Sequence, residues 1–86
     1  MQIPKLKVLV EAGAVREAEA MPDGDGWTVE VTYASRGGER REALERQRGG
    51  LRVFATLDAV ARALGAAGID EFRVNLRSGE GSSGGR

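Results

Sequence analysis

Apolar and polar residues alternate most regularly over residues 27–33, which read Trp-Thr-Val-Glu-Val-Thr-Tyr. Alternation with a period of two predicts a strand that has an apolar and a polar face. The turn sequence Pro-Asp-Gly-Asp-Gly precedes this strand at 22–26, and so tight a turn predicts a partner strand just before it. We therefore interpret residues 15–21 as a strand, although their charged side chains would also suit a helix.

Two other segments show helical periodicity. Residues 57–67 place apolar side chains on one stripe, Thr56 before them is a suitable N-cap, and Gly68 can end the helix in the left-handed conformation. Residues 3–12 begin with Pro4 in a first-turn position, which favours a short helix. Apolar residues also alternate in that segment, so a strand is the competing interpretation there.

The remaining segments predict further strands separated by glycine-containing turns. We interpret residues 51–55 and 71–76 as strands, and residues 40–47 as a polar edge strand or a short helix. The predicted order is α-β-β-β-β-α-β. This order predicts the α+β class, with a single small antiparallel β-meander and both helices packed on one face.

The ends of the chain differ in composition. Residues 78–86 read Ser-Gly-Glu-Gly-Ser-Ser-Gly-Gly-Arg and contain no apolar side chain, which predicts a flexible tail. Residues 1–77 are therefore expected to form one domain.

No apolar run is long enough to span a membrane, and without cysteines or a signal peptide we expect a cytoplasmic protein.

The amino-acid composition excludes several classes of metal site and active site. The 86 residues include no histidine and no cysteine, which removes the usual zinc ligands and the histidine of a catalytic triad. The carboxylates lie in charge-rich segments, whereas catalytic carboxylates need burial or close pairing. We expect no enzyme activity, no catalytic residue, no bound metal and no cofactor.

Charge is balanced overall but unevenly distributed. The chain has thirteen basic and thirteen acidic residues. Residues 11–30 carry a net charge of −5 and residues 36–52 a net charge of +3. Such an asymmetry can orient a partner, although two solvated faces would give the same pattern.

The basic segment supplies most of the candidate partner-binding residues. A protein partner is the first hypothesis, because an edge strand at 40–47 would offer backbone groups to a partner or to a second copy in a homodimer. DNA is the alternative, because arginines on a β-meander can read guanine in the major groove. The candidates are Trp27, Arg36, Arg40, Arg41, Arg46, Gln47, Arg48 and Arg52.

An ordered series of short motifs resembles a known family. It comprises Pro-Lys-Leu-x-x-Leu-Val-Glu-Ala-Gly-Ala-Val at 4–15, Gly-Trp-x-Val-x-Val-x-Tyr at 26–33, Leu-x-x-Gln-Arg-Gly at 44–49, Arg-Val-Phe at 52–54 and Gly-Ile-x-x-Phe-x-Val at 68–74. The series resembles the small plasmid-borne ParC-family partition-associated proteins, which are unrelated to the topoisomerase subunit of the same name. The resemblance implies an accessory role in plasmids or mobile elements, such as maintenance or inhibition of a host system. It implies no catalytic residue.

Overall fold

The computed structural model describes residues 1–77 and contains two helices and four strands. Pro4 lies in the first turn of the N-terminal helix, and Thr56 caps the second helix by accepting the backbone N–H of Ala59 at 3.0 Å. The α+β class and both predicted helices are therefore confirmed. In chain order the elements are α1 (Ile3–Glu11), β1 (Val15–Asp23), β2 (Gly26–Ser35), β3 (Gly38–Ala43), α2 (Leu57–Ala66) and β4 (Arg73–Val74).

The four strands form one sheet in the order β3-β2-β1-β4. β1, β2 and β3 are an antiparallel meander, whereas β4 runs parallel to β1 and pairs only with Glu19 and Ala20. The sheet is therefore mixed, not antiparallel throughout as predicted. The reason is the connection through α2, which carries the chain across the sheet and returns it beside β1 in the same direction.

Both helices cover the same face of the sheet. Leu6 of α1 and Val60 and Leu64 of α2 are fully buried, and they join Val29 and Val31 of β2 in one apolar cluster. These valines belong to the apolar face that the alternation of residues 27–33 predicts. We call this side of the sheet the helix face and the opposite side the open face.

The predicted strand at 51–55 is the main difference from the sequence analysis. Only one residue of this segment pairs with the sheet, because Phe54 and Trp27 exchange backbone hydrogen bonds of 2.7 and 2.8 Å. Phe54 thus follows β3 along the same side of β2. The intervening residues form a short hairpin loop in which Glu45 bridges to Leu51, and we call it the 45–51 loop.

The 45–51 loop also limits the predicted strand at 40–47, which is a strand only as far as Ala43. Gly49 and Gly50 reverse the chain with φ angles of 90° and 83°, a conformation that favours glycine. The last predicted strand, 71–76, is reduced to Arg73–Val74, and Leu76 is exposed instead of facing inward. The predicted tail at 78–86 lies outside the described residues.

Candidate partner-binding surface

β3 is an edge strand whose residues are mostly exposed. It pairs with β2 from Ser35↔Gly38 to Glu30↔Ala43 and has no strand on its other side among residues 1–77. The hairpin turn that precedes it contains Arg36, and the 45–51 loop follows it. The edge therefore lies between two turns that carry arginines.

The 45–51 loop is held by its own backbone. Arg46 donates its N–H to the Gly50 carbonyl at 2.8 Å, and Gly49 donates to the Arg46 carbonyl at 2.9 Å. The Gln47 carbonyl accepts the side-chain amide of Gln2 at 3.2 Å, which ties the loop to the start of α1. Arg46, Gln47 and Arg48 are all exposed, so the tip of the loop presents polar side chains to solvent.

On the helix face, the carboxylate of Glu42 is the acceptor in a compact polar cluster. It accepts the hydroxyl of Tyr33 at 2.5 Å and lies 3.3 Å from the Lys5 ammonium. The Tyr33 hydrogen bond, followed by the Lys5 contacts, lowers the pKa of Glu42 below its ordinary value. The negative charge of Glu42 is therefore compensated within the domain.

On the open face, the guanidinium of Arg41 is the centre of a second cluster. Its Nη2 pairs with Glu19 and its Nε with Glu30, while Nη1 donates to the Thr32 hydroxyl at 3.2 Å. Glu19 is only 7% exposed, and the Arg41 hydrogen bond lowers its pKa. Arg41 therefore joins β3 to β2 and β1, and its positive charge is neutralised by Glu19 and Glu30.

The other arginines of the edge have no such compensation from the residues that the structure describes. The second carboxylate of β3, Glu39, lies 3.8 Å from Arg16, so both carboxylates of β3 have a cationic partner. No carboxylate of the described residues lies within 4.0 Å of the guanidinium groups of Arg36, Arg40, Arg46 or Arg48. Among residues 1–77, the exposed edge therefore presents uncompensated positive charge at its middle and at both ends. We call β3, Arg36 and the 45–51 loop the positive edge.

Two predicted candidates lie apart from this positive edge. Trp27 is half-buried at the start of β2, where it packs against the core and pairs with Phe54. The Arg52 guanidinium lies 4.6 Å from the centre of the Phe54 ring, an arrangement typical of a cation–π contact. The structure thus places Arg36, Arg40, Arg46, Gln47 and Arg48 along one exposed edge, while Arg41, Arg52 and Trp27 make contacts within the fold.

Comparison with known proteins identifies the family. The family described as ParC-like matches residues 1–79, which include every strand, both helices and the 45–51 loop. The chain belongs to the ParC-like family. Neither the curated proteins nor the solved structures gave a significant match to this ParC-like protein.

Several residues that shape the positive edge of the ParC-like protein are not among the predicted candidates. Glu19 and Glu30 neutralise Arg41, and Lys5 and Tyr33 engage Glu42. The polar face predicted for 27–33 already includes Glu30, which is the one available signal. Its contact with Arg41 depends on the register of the β2–β3 hairpin, which the sequence pattern does not specify.

Metal binding and membrane crossing concern two further features of the ParC-like protein. Residues 1–77 contain no group of three or more histidine, cysteine, aspartate or glutamate side chains placed to hold a metal ion. Neither α1 nor α2 has the length and apolar character needed to cross a membrane.

Proposed function

We propose that this ParC-like protein is a non-catalytic accessory protein of a plasmid or another mobile element that acts by binding a protein partner. The process would be plasmid maintenance and partition, or inhibition of a host system, and the location would be the cytoplasm. Membership of the ParC-like family supports the plasmid part of the proposal. The contact surface would be the positive edge.

One observation favours a protein partner over DNA. Arg41 faces the open face of the sheet, where Glu19 and Glu30 surround it. A sheet that reads DNA presents unpaired arginines from one face to the base edges and phosphates, and here that face has a carboxylate beside its central arginine. Uncompensated arginines at a strand edge, together with unpaired backbone groups, instead suit a protein contact.

A pull-down from a plasmid-bearing host tests the proposal. We expect Arg40, Arg46 and Arg48, replaced together by alanine, to remove a captured protein while the fold survives. A matched control replaces Lys7, Arg62 and Arg77 by alanine, because these exposed residues have no carboxylate of the described chain within 4.0 Å and their loss changes the charge equally. The control variant should retain the partner.

The DNA alternative predicts a different result. Binding through phosphate contacts falls steeply between about 50 and 200 mM salt, because each contact releases counterions. Sequence-selective DNA binding by the wild type, with a dissociation constant below about 1 μM near physiological salt, would contradict the proposal. Equal capture of the same proteins by both triple variants would also contradict it.

A further inference from the structure

The backbone of β3 has hydrogen-bonding groups that no other strand of the described chain uses. Leu44 donates its N–H to the Val29 carbonyl at 2.8 Å, and the ladder continues from there with Val31↔Glu42 and Tyr33↔Arg40. In an antiparallel ladder the bonded pairs alternate along the strand. Arg40 and Glu42 therefore bond to β2, and Glu39 and Arg41 direct their N–H and C=O groups outward.

One end of this edge is already covered. The amino group of Met1 donates to the Ala43 carbonyl at 2.6 Å, and the Met1 carbonyl accepts the Glu45 N–H at 2.8 Å. Met1 thus bonds to the edge through both its amino group and its carbonyl, as a residue of an added strand would. The covered end leaves residues 38–42 open, a length of roughly 17 Å for a second strand to pair with.

Pairing of β3 with a second copy of itself would bring two like charges together at its centre. A two-fold antiparallel pair that keeps both sheets continuous places one residue opposite its own copy. Centring the pair on any residue from Glu39 to Glu42 places two identical charges opposite each other. Like charges directly opposite destabilise a strand pair. Centring on Arg40 or Arg41 also places glutamates opposite arginines, but Glu39 and Glu42 already have cationic partners within each copy, so this dimer offers Arg40 no carboxylate that is not already paired.

The same charges favour an acidic partner strand. Both carboxylates on β3 already have a cationic partner. In the described chain, no carboxylate pairs with Arg40 in the middle of β3 or with Arg36 and Arg46 near its ends. We propose that β3 accepts an extended acidic segment of a partner protein as an additional strand. Backbone pairing with Glu39 and Arg41 would give affinity, and carboxylates beside Arg36 and Arg40 would give selectivity. This inference rests on the proposed function.

The probe is a terminally blocked eight-residue peptide in which glutamate alternates with valine. Two matched peptides separate charge from strand pairing. One replaces each glutamate by lysine, and the other replaces each valine by proline, which keeps the charge but removes half of the backbone donors. We expect each change to weaken binding, measured by titration with NMR detection, at least about tenfold.

Variants of Glu39 test the backbone contact itself. Proline at this position removes an outward N–H and is compatible with an edge strand, whereas alanine keeps the N–H and removes only the charge. We expect Glu39→Ala to bind the glutamate–valine peptide at least as well as the wild type, and Glu39→Pro to bind it at least about tenfold more weakly. Circular dichroism checks that both variants fold.

Hydrogen exchange on the wild type tests the inference independently of any variant. A saturating amount of the glutamate–valine peptide should slow exchange of the Glu39 and Arg41 amides at least about tenfold, and leave the Arg40 and Glu42 amides nearly unchanged. Equal affinity for the proline-containing peptide, no binding at about 1 mM peptide, or protein dimerisation that Glu39→Pro abolishes would each overturn the inference.

Failure of this inference can be told apart from failure of the proposed function. Partner capture that depends on Arg40, Arg46 and Arg48 but is unchanged in Glu39→Pro would overturn strand pairing and leave the proposed function standing. If the peptide binds as a strand but no captured protein depends on those arginines, the proposed function is overturned and strand pairing stands.

Discussion

β2 and β3 are the two strands of one hairpin, but their surroundings differ. β2 has a strand on each side, and its valines pack beneath both helices. β3 pairs with a strand on one side only among the described residues. The charges of Glu42 and Arg41 are neutralised by ion pairs within the protein, whereas Arg40 has no carboxylate neighbour among the described residues. The comparison indicates that apolar burial on β2 supports the fold, while β3 has groups available for a partner.

The substitution with the largest expected effect on stability, Leu64→Ala, tests the packing of α2 over β2. Leu64 is 0% exposed in the shared cluster, so Leu64→Ala removes buried methyl groups and leaves a cavity. We expect a loss of about 2–5 kcal/mol in the free energy of unfolding, measured by urea denaturation.

Val8→Ala is the control for that experiment, because Val8 is 64% exposed and should cost less than about 0.5 kcal/mol. Similar losses for the two variants would show that α2 does not pack on β2 in the way described.

The next effect tests the contact between the start of β2 and the segment that follows β3. A Cβ at Gly26 would lie 2.5 Å from the Phe54 carbonyl oxygen and 2.7 Å from Cγ1 of Val53. Gly26→Ala should therefore force the backbones apart and cost about 1–3 kcal/mol.

Gly65→Ala is its matched control. A Cβ at Gly65, in the last turn of α2, meets no atom within 4 Å, and alanine is the better helix residue. Gly65→Ala should stabilise the protein by about 0.5–1 kcal/mol. A Gly26→Ala protein as stable as the wild type would contradict the observed pairing of Trp27 with Phe54.

The smaller effects separate the two adjacent arginines of β3. Arg41→Ala leaves the largely buried Glu19 without its guanidinium partner, and we expect a loss of about 1 kcal/mol after allowance for solvent near Arg41. Arg40→Ala should change stability by less than about 0.5 kcal/mol. Thermal and urea unfolding measure both, and equal losses would show that the two arginines do not differ in structural role.

The pH dependence of stability sharpens the same contrast. The pKa of Glu19 lies below its ordinary value of 4.5, chiefly because Arg41 donates to the carboxylate. A lowered pKa in the folded state means that the stabilisation is complete above the unfolded pKa and is lost as pH falls through the folded pKa. Stability should therefore decrease as pH falls below about 4.5, and less steeply in Glu19→Gln.

Glu42 keeps part of that slope in the Glu19→Gln protein, because the Tyr33 hydrogen bond lowers its pKa as well. Unfolding curves at matched ionic strength measure the difference between the slopes. A slope unchanged by Glu19→Gln would contradict the pairing of Glu19 with Arg41.

Comparison of the predicted and observed elements shows which sequence signals were sufficient. The alternation at 27–33 and the helical stripe at 57–67 each rely on neighbours within one element, and both predictions are confirmed. The strand predicted at 51–55 has suitable residues, but after the 45–51 loop only Phe54 returns to a position beside β2. The two glycines of that loop predict a turn, but no local signal predicts the direction in which the chain leaves the sheet.

The amino-acid sequence alone determined the helices, the meander, the α+β class and the arginine-rich segment, because periodicity and turn residues act over a few neighbouring positions. Tertiary structure decided the parallel placement of β4 and the different surroundings of Arg40 and Arg41. Glu19 and Arg41 are 22 positions apart in the chain, and their contact exists only once β1, β2 and β3 adopt one register. Which charges remain available to a partner is therefore a property of strand order and register that no local pattern encodes.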